Sequence, residues 1–303
     1  TTLFRSAPGG SGFTFKWKPH CGEPTMLPCG QCTGCRHDHA KMWAIRCVHE
    51  AKMHKENSFL TLTYRDDKLP IDGSLVKHHH QDFIKRLRSE LKEKNPEHNG
   101  DLSYFHVGEY GKICPFCRQK HGLGRPHYHT LLFGYWPTDS TLHTERGGIR
   151  LYSSASLARL WGHGFVSVGH VTPESAAYCS RYSLKKFKGP HKAEHYVRHD
   201  CRTAEIRPIE PEYATMSRNP AIGKRYYERY GHEIRENDDV VVRGYLLKPP
   251  RYYDQLFDEI DPEGFYETKK SRRRAAKLNE HNNTPERLAV RKECHDEIGR
   301  AHV

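Results

Sequence analysis

Long apolar runs are missing from this chain. No stretch approaches the roughly 18 apolar residues of a membrane-spanning helix, and no signal-peptide pattern opens it, so neither a membrane-embedded nor a secretory class is expected. It has no Gly-x-x-x-x-Gly-Lys-Ser/Thr loop, so ATP-driven unwinding is not built in. It has no internal repeat and no Lys-rich amphipathic helix with a bulky apolar face of the kind that lies on membranes. Acidic residues are the deficient charge, 37 Asp+Glu against 49 Lys+Arg, for a formal net charge of +12 and an isoelectric point near 9.2. That excess favours a polyanionic partner, and phosphate backbones are the usual one. The chain opens on Thr1-Thr2, as a numbering that starts inside a longer reading frame does.

What is present is a 303-residue polymer, 36% hydrophobic and 28% charged, long enough to bury a proper core and polar enough to be soluble. Its ten cysteines cluster. Cys29, Cys32 and Cys35 repeat at Cys-x-x-Cys-x-x-Cys with Cys21 just upstream, and Cys114 and Cys117 form a second Cys-x-x-Cys with His121 close by. Thiols so spaced without a secretory signal point to metal rather than to disulfides. Cys21, Cys29, Cys32 and Cys35 have the count for a structural zinc, though not a standard knuckle spacing, and Cys114, Cys117 and His121 would make a second zinc site with a remote ligand. The alternative is free thiols in a reducing cytoplasm.

Periodicity supplies the elements. Arg36 to Lys55 is apolar at a helical period, and Phe59-Leu60-Thr61-Leu62-Thr63-Tyr64 alternates as a strand. Leu75 to Lys94 is a helix, Leu102 to Gly108 a strand, and His127 to Gly134 a third strand after a Cys- and Gly-rich insertion. Residues 135–153 look polar and turn-rich, Ala155 to Trp161 is a short helix, and Gly164 to Val171 is a fourth strand. The order strand, helix, strand, strand, helix, strand predicts an α+β fold, a ferredoxin-like antiparallel sheet with helices on one face. We expect a Cys-rich N-terminal segment and helix over 1–56, a core over 57–190, and a basic, partly helical C-terminal extension over 191–303, with a strand and short helix within 239–260 and a surface helix or loose tail after Glu267.

Two stretches carry candidate chemistry. On a strand His127 and His129 point to one face, so their imidazoles stand side by side as half of a divalent-metal site. Glu109, at the end of the preceding strand, is the expected third ligand, with His106 as the alternative. A His, His, carboxylate set suits Mg²⁺ or Mn²⁺ on phosphate oxygens, although Zn²⁺ would also accept it. Further on, Thr172-Pro173-Glu174 starts a helix on which Tyr178 and Tyr182 lie one turn apart on the same face, continued by Lys185 and Lys186. A phenol beside lysines and a metal can attack phosphorus.

The His127-Tyr128-His129 strand, the two-tyrosine helix with its Lys185-Lys186 end, and the Phe59 to Tyr64 strand resemble the three ordered motifs of rolling-circle replication initiators of the HUH endonuclease superfamily. Further phrases, Leu27-Pro28-Cys29-Gly30-Gln31-Cys32, Gly108-Glu109-Tyr110-Gly111 and Met216-Ser217-Arg218-Asn219-Pro220, are similar to the initiators of microviruses, single-stranded DNA phages, and among them the gokushovirus branch. The resemblance spans residues 25–225. It implies metal-assisted nicking of single-stranded viral origin DNA by Tyr178 or Tyr182, a 5′-phosphotyrosine link, a 3′-hydroxyl primer, and rejoining of the displaced circle when the second tyrosine takes over. It also implies a borrowed host helicase, a host DNA polymerase and action in the host bacterial cytoplasm. Relaxases usually carry a third metal histidine and an N-terminal tyrosine, which this chain lacks; a transposase would share the histidine pair. The rival from another class is a non-catalytic zinc and DNA-binding protein.

Overall fold

The computed structural model describes residues 2–6, 13–14, 24–27, 30, 32–95, 102–182 and 192–301. The chain divides into two compact units, residues 40–268 and residues 1–39 together with 269–303. The N-terminal strands β1 (Thr2–Ser6), β2 (Phe13–Thr14) and β3 (Pro24–Leu27) pair antiparallel in the order β2-β1-β3. Next come α1 (Thr33–Lys52), β4 (Asn57–Tyr64), α2 (Lys77–Lys94), β5 (Ser103–Tyr110) and β6 (Pro126–Phe133). They are followed by β7 (Thr141–Arg146), β8 (Ile149–Ser153), α3 (Ala155–Trp161), β9 (Gly164–His170) and α4 (Pro173–Tyr182). The rest comprises α5 (Lys192–His195), β10 (Val197–His199), β11 (Ile206–Pro208), β12 (Tyr213–Met216), α6 (Lys224–Asn237), β13 (Val240–Val242), β14 (Tyr245–Leu247), α7 (Arg251–Ile260), α8 (Pro262–Leu278) and α9 (Pro285–Ala301).

The frame of the larger unit is a seven-stranded antiparallel sheet in the order β12-β5-β6-β4-β9-β8-β7. β4 shows why strand alternation works here: Leu60, Leu62 and Tyr64 are buried on one face while Phe59, Thr61 and Thr63 belong to the other. The first face is covered by α2 and α3, whose Phe83, Ile84, Leu87, Leu157, Leu160 and Trp161 pack with Leu60, Leu62, Tyr128 and Val168. Trp161 is fully buried and its indole N–H donates to the Thr63 carbonyl at 2.9 Å. Ser154 caps α3, its hydroxyl accepting from the Leu157 N–H at 3.1 Å.

Helices cover both faces, which corrects the expectation of helices on one. β5 and β6 are apolar on each side, so Phe105, Val107, Leu131 and Phe133 also need burial, and Cys47, Ala176 and Cys179 of α1 and α4 supply it with Ile222. The second face also fastens later chain: Arg46 lies against the Trp43 and Tyr252 rings and donates to the Ile222 carbonyl at 2.9 Å, and Glu50 accepts the Gly223 N–H at 2.7 Å.

Residues 135–153, expected to be turns, instead contain the β7–β8 hairpin, closed at Gly147 and Gly148, both with positive φ. Its side chains are mostly exposed, so no apolar alternation marks it. β12, from the segment expected to be an extension, adds an edge strand beside β5. Residues 239–260 form the β13–β14 hairpin and α7, and the tail after Glu267 is helical in α8 and α9.

Candidate active site and metal centre

Strand register builds the site. Glu109 of β5 lies directly opposite His127 of β6, and Val107 lies opposite His129. Glu109 shares its face with Val107 and Phe105, as the histidines do with Leu131 and Phe133, so a carboxylate and two imidazoles converge at the end of the face covered by α1 and α4. Glu109 Oε1 is 2.8 Å from His127 Nε2 and 3.1 Å from His129 Nε2. One donor atom from each of the three residues falls within 4.8 Å of the others.

The far nitrogens are occupied. His127 Nδ1–H donates to the Arg125 carbonyl at 3.2 Å, and His129 Nδ1 bonds the Thr61 hydroxyl at 3.1 Å. Such outer contacts fix ring orientation in metal sites. Because His127 faces an acceptor on each side, either a proton or a cation must stand between its Nε2 and the Glu109 carboxylate. Burial alone would push the Glu109 carboxyl up, but the hydrogen bonds from His127 and His129 outweigh it and hold the group below the usual carboxylate range. The donor set therefore fits a divalent cation.

α4 brings Tyr178 to this cluster. Thr172 and Ser175 cap the helix reciprocally, Ser175 N–H donating to Thr172 Oγ1 at 3.2 Å and Thr172 N–H to Ser175 Oγ at 2.8 Å. Ala176 and Cys179 anchor the helix on β5 and β6, which leaves Tyr178 half-buried between Phe59 and His129. Its ring meets His129 edge to face with centroids 5.1 Å apart, and Phe59 at 6.3 Å. Tyr182 ends α4 one turn later. Lys185 and Lys186 lie outside the described residues.

His106, the alternative third ligand, points to the opposite face. It stacks on His80 at 3.3 Å and bonds Thr130 at 3.0 Å, because one residue along a strand reverses the side-chain direction.

A family model for replication-associated protein ORF2 matches residues 57–187, from β4 to beyond α4. The chain is 34% identical over 257 residues to the replication-associated protein VP4 of Bdellovibrio phage phiMH2K, covering 80% of this chain and 70% of the relative. It is 30% identical over 251 residues to the replication-associated protein ORF2 of Spiroplasma virus 4, covering 79% and 70%. The chain belongs to the phage replication-associated protein family. A third member, replication-associated protein ORF4 of Chlamydia phage 1, is 30% identical over 240 residues, covering 77% of this chain and 54% of its own length. No solved structure matches.

In this replication-associated protein the cysteines separate into two groups. Cys32 and Cys35 flank the start of α1, whereas Cys21 and Cys29 lie outside the described residues. Cys114, Cys117 and His121, in the β5–β6 connection, come together with Cys201 between β10 and β11. Among the described residues, no helix is long and apolar enough to cross a membrane.

Sequence reasoning passed over Thr61 and Arg125, which orient the two histidines, and left the partner of Cys114 and Cys117 unnamed. Thr61 was visible as the polar position of an alternating strand. Cys201 carries no local signal, since it lies alone and far along the chain.

Proposed function

We propose that this replication-associated protein initiates rolling-circle replication by nicking single-stranded viral origin DNA through a tyrosine. The observation that carries this reading is the placement of the Tyr178 ring against His129, on the sheet face where Glu109, His127 and His129 converge. The order β5-β6-β4-β9, with α2 and α3 on one face, is that of a ferredoxin-like split βαβ core, which supports an HUH endonuclease architecture. The names of the relatives and the +12 charge support a DNA substrate.

Glu109, His127 and His129 would hold Mg²⁺ or Mn²⁺, which supplies polarisation of the scissile phosphate and offsets charge on its oxygens. The Tyr178 phenol oxygen bonds to phosphorus as the bond to the 3′ oxygen breaks, leaving a 5′-phosphotyrosine and a 3′-hydroxyl that a host polymerase extends. Tyr182, a turn away on α4, attacks the regenerated origin while Tyr178 still holds DNA, and the released 3′-hydroxyl rejoins the displaced circle. Lys185 and Lys186 stabilise the phenolate or the phosphate. The protein acts in the bacterial host cytoplasm with a host helicase, since it carries no nucleotide-binding loop of its own.

The test is incubation of the protein with end-labelled single-stranded origin fragments, with and without Mn²⁺, beside the Tyr178→Phe, Tyr182→Phe double variant. The expected result is a metal-dependent protein–DNA adduct that survives denaturation and disappears in the double variant. Undiminished DNA binding with no adduct on any origin fragment would instead identify a non-catalytic DNA-binding protein.

A further inference from the structure

The connection between β5 and β6 is held in a second place, away from the Glu109 centre. Cys114-Pro115-Phe116-Cys117 turns tightly, with the Phe116 and Cys117 N–H groups directed at Cys114 Sγ and the Cys114 N–H donating to the Gln119 carbonyl at 2.8 Å. Arg118 takes a positive φ of 64° in this turn, which lets the chain double back and set His121 Nε2 2.9 Å from Cys117 Sγ. Cys201 arrives from the β10–β11 hairpin with its Sγ 3.9 Å from that of Cys114. All four donor atoms lie within 4.8 Å of one another.

That sulfur separation is far beyond the roughly 2.05 Å of a disulfide. It is close to the roughly 3.8 Å edge that a tetrahedron with zinc–sulfur bonds of about 2.3 Å produces. Three thiols and an imidazole form a soft donor set that selects zinc over the hard cations suited to a carboxylate site, and four protein ligands leave no open position. We infer that Cys114, Cys117, His121 and Cys201 form a closed, structural zinc site that staples the β5–β6 connection to the β10–β11 hairpin.

The surroundings are built for such a staple. Arg198 of β10 is buried and donates to the carbonyls of Leu123 at 2.7 Å, Gly124 at 2.9 Å and Gly73 at 3.1 Å. Arg202 pairs with Asp200 and lies over the Phe116 ring at 3.5 Å. The stapled connection ends at Arg125, whose carbonyl receives His127 Nδ1–H and whose guanidinium reaches Asp66 and the Tyr64 carbonyl. Gly124 packs too closely on the Gly111 carbonyl to admit a Cβ, so the connection crosses itself between the zinc ligands and His127. Zinc thus positions the loop that orients His127, and this holds whether or not the chain cuts DNA.

The test is metal analysis of the full chain purified without added metal, with mass-spectrometric mapping of cysteine alkylation before and after zinc removal. We expect bound zinc that falls by one equivalent per chain in Cys201→Ser, returns in Cys201→His, and is unchanged in Glu109→Ala. Cys114, Cys117 and Cys201 should be protected from alkylation in the zinc-loaded protein and react once zinc is stripped. Cobalt in place of zinc should give a thiolate charge-transfer band that weakens in Cys201→Ser. If Cys201→Ser does not fold, the alkylation map of the unaltered chain decides. Zinc content unaffected by Cys201→Ser, equal alkylation of these cysteines with and without zinc, or a Cys114–Cys201 disulfide would each overturn the assignment.

Discussion

The His129 imidazole meets the Tyr178 ring at nearly a right angle, 87°, with centroids 5.1 Å apart. This contact joins a helix residue to a sheet residue that binds Glu109, and it survives loss of the phenol oxygen. Tyr178→Phe should therefore keep its fold and its DNA affinity while covalent adduct formation falls on the order of 10³-fold or more, as removal of a nucleophile does. Denaturing gels of labelled oligonucleotides measure it, with Tyr182→Phe alongside to assign the first cut.

Thr61 offers its hydroxyl to His129 Nδ1 at 3.1 Å from the neighbouring strand. Thr61→Val preserves shape and β-branching but removes the partner that orients the ring. Mn²⁺ affinity should weaken about 10- to 100-fold, the usual effect of losing an outer-layer partner. Titration calorimetry reads this directly, and an unchanged affinity would show that Thr61 does not orient the ligand.

Acid should destabilise the fold through histidines buried uncharged. Burial depresses His80 to about 3, burial and then Lys52 depress His49 to about 3, and burial first, then His80 and His129, hold His106 well below its ordinary value. An unfolded histidine titrates near 6.5, so below that pH the unfolded state binds more protons. The stability these groups contribute is complete above about 6.5 and is lost as pH falls from there towards their folded values. Each steepens the loss by about 1.4 kcal/mol per pH unit within that window. Urea midpoints measured from pH 7 to pH 5 should fall steeply, and less steeply in His49→Gln, by about one proton's share.

Phe165 stands in the same cross-strand row as the metal cluster. Glu109 pairs with His127, His127 with Thr63, and Thr63 with Phe165, so all four share a face. Phe165 is 65% exposed and lies two strands from His127, about 10 Å at the usual strand spacing. An exposed ring at that distance suits stacking of an unpaired base. Phe165→Ala should weaken single-stranded DNA binding by about 1–3 kcal/mol with the melting temperature unchanged. Fluorescence anisotropy at fixed salt gives the answer, and an unaltered affinity would remove Phe165 from the DNA path.

Local pattern determined much of this protein. Alternation in Phe59 to Tyr64 and around His127 and His129 marked strands and said which side chains share a face, because a pleat has a period of two whatever surrounds it. Thr172-Pro173 marked the start of α4, and the short-range Cys114, Cys117 and His121 spacing marked a turn around thiols. Tertiary structure decided what these faces meet. That Glu109 rather than His106 joins the histidines depends on β5–β6 register, that α1 covers the second face depends on two strands being apolar on both sides, and that Cys201 closes the thiol cluster depends on a hairpin far along the chain. Such pairings are set by packing between elements distant in sequence, and no local period records them.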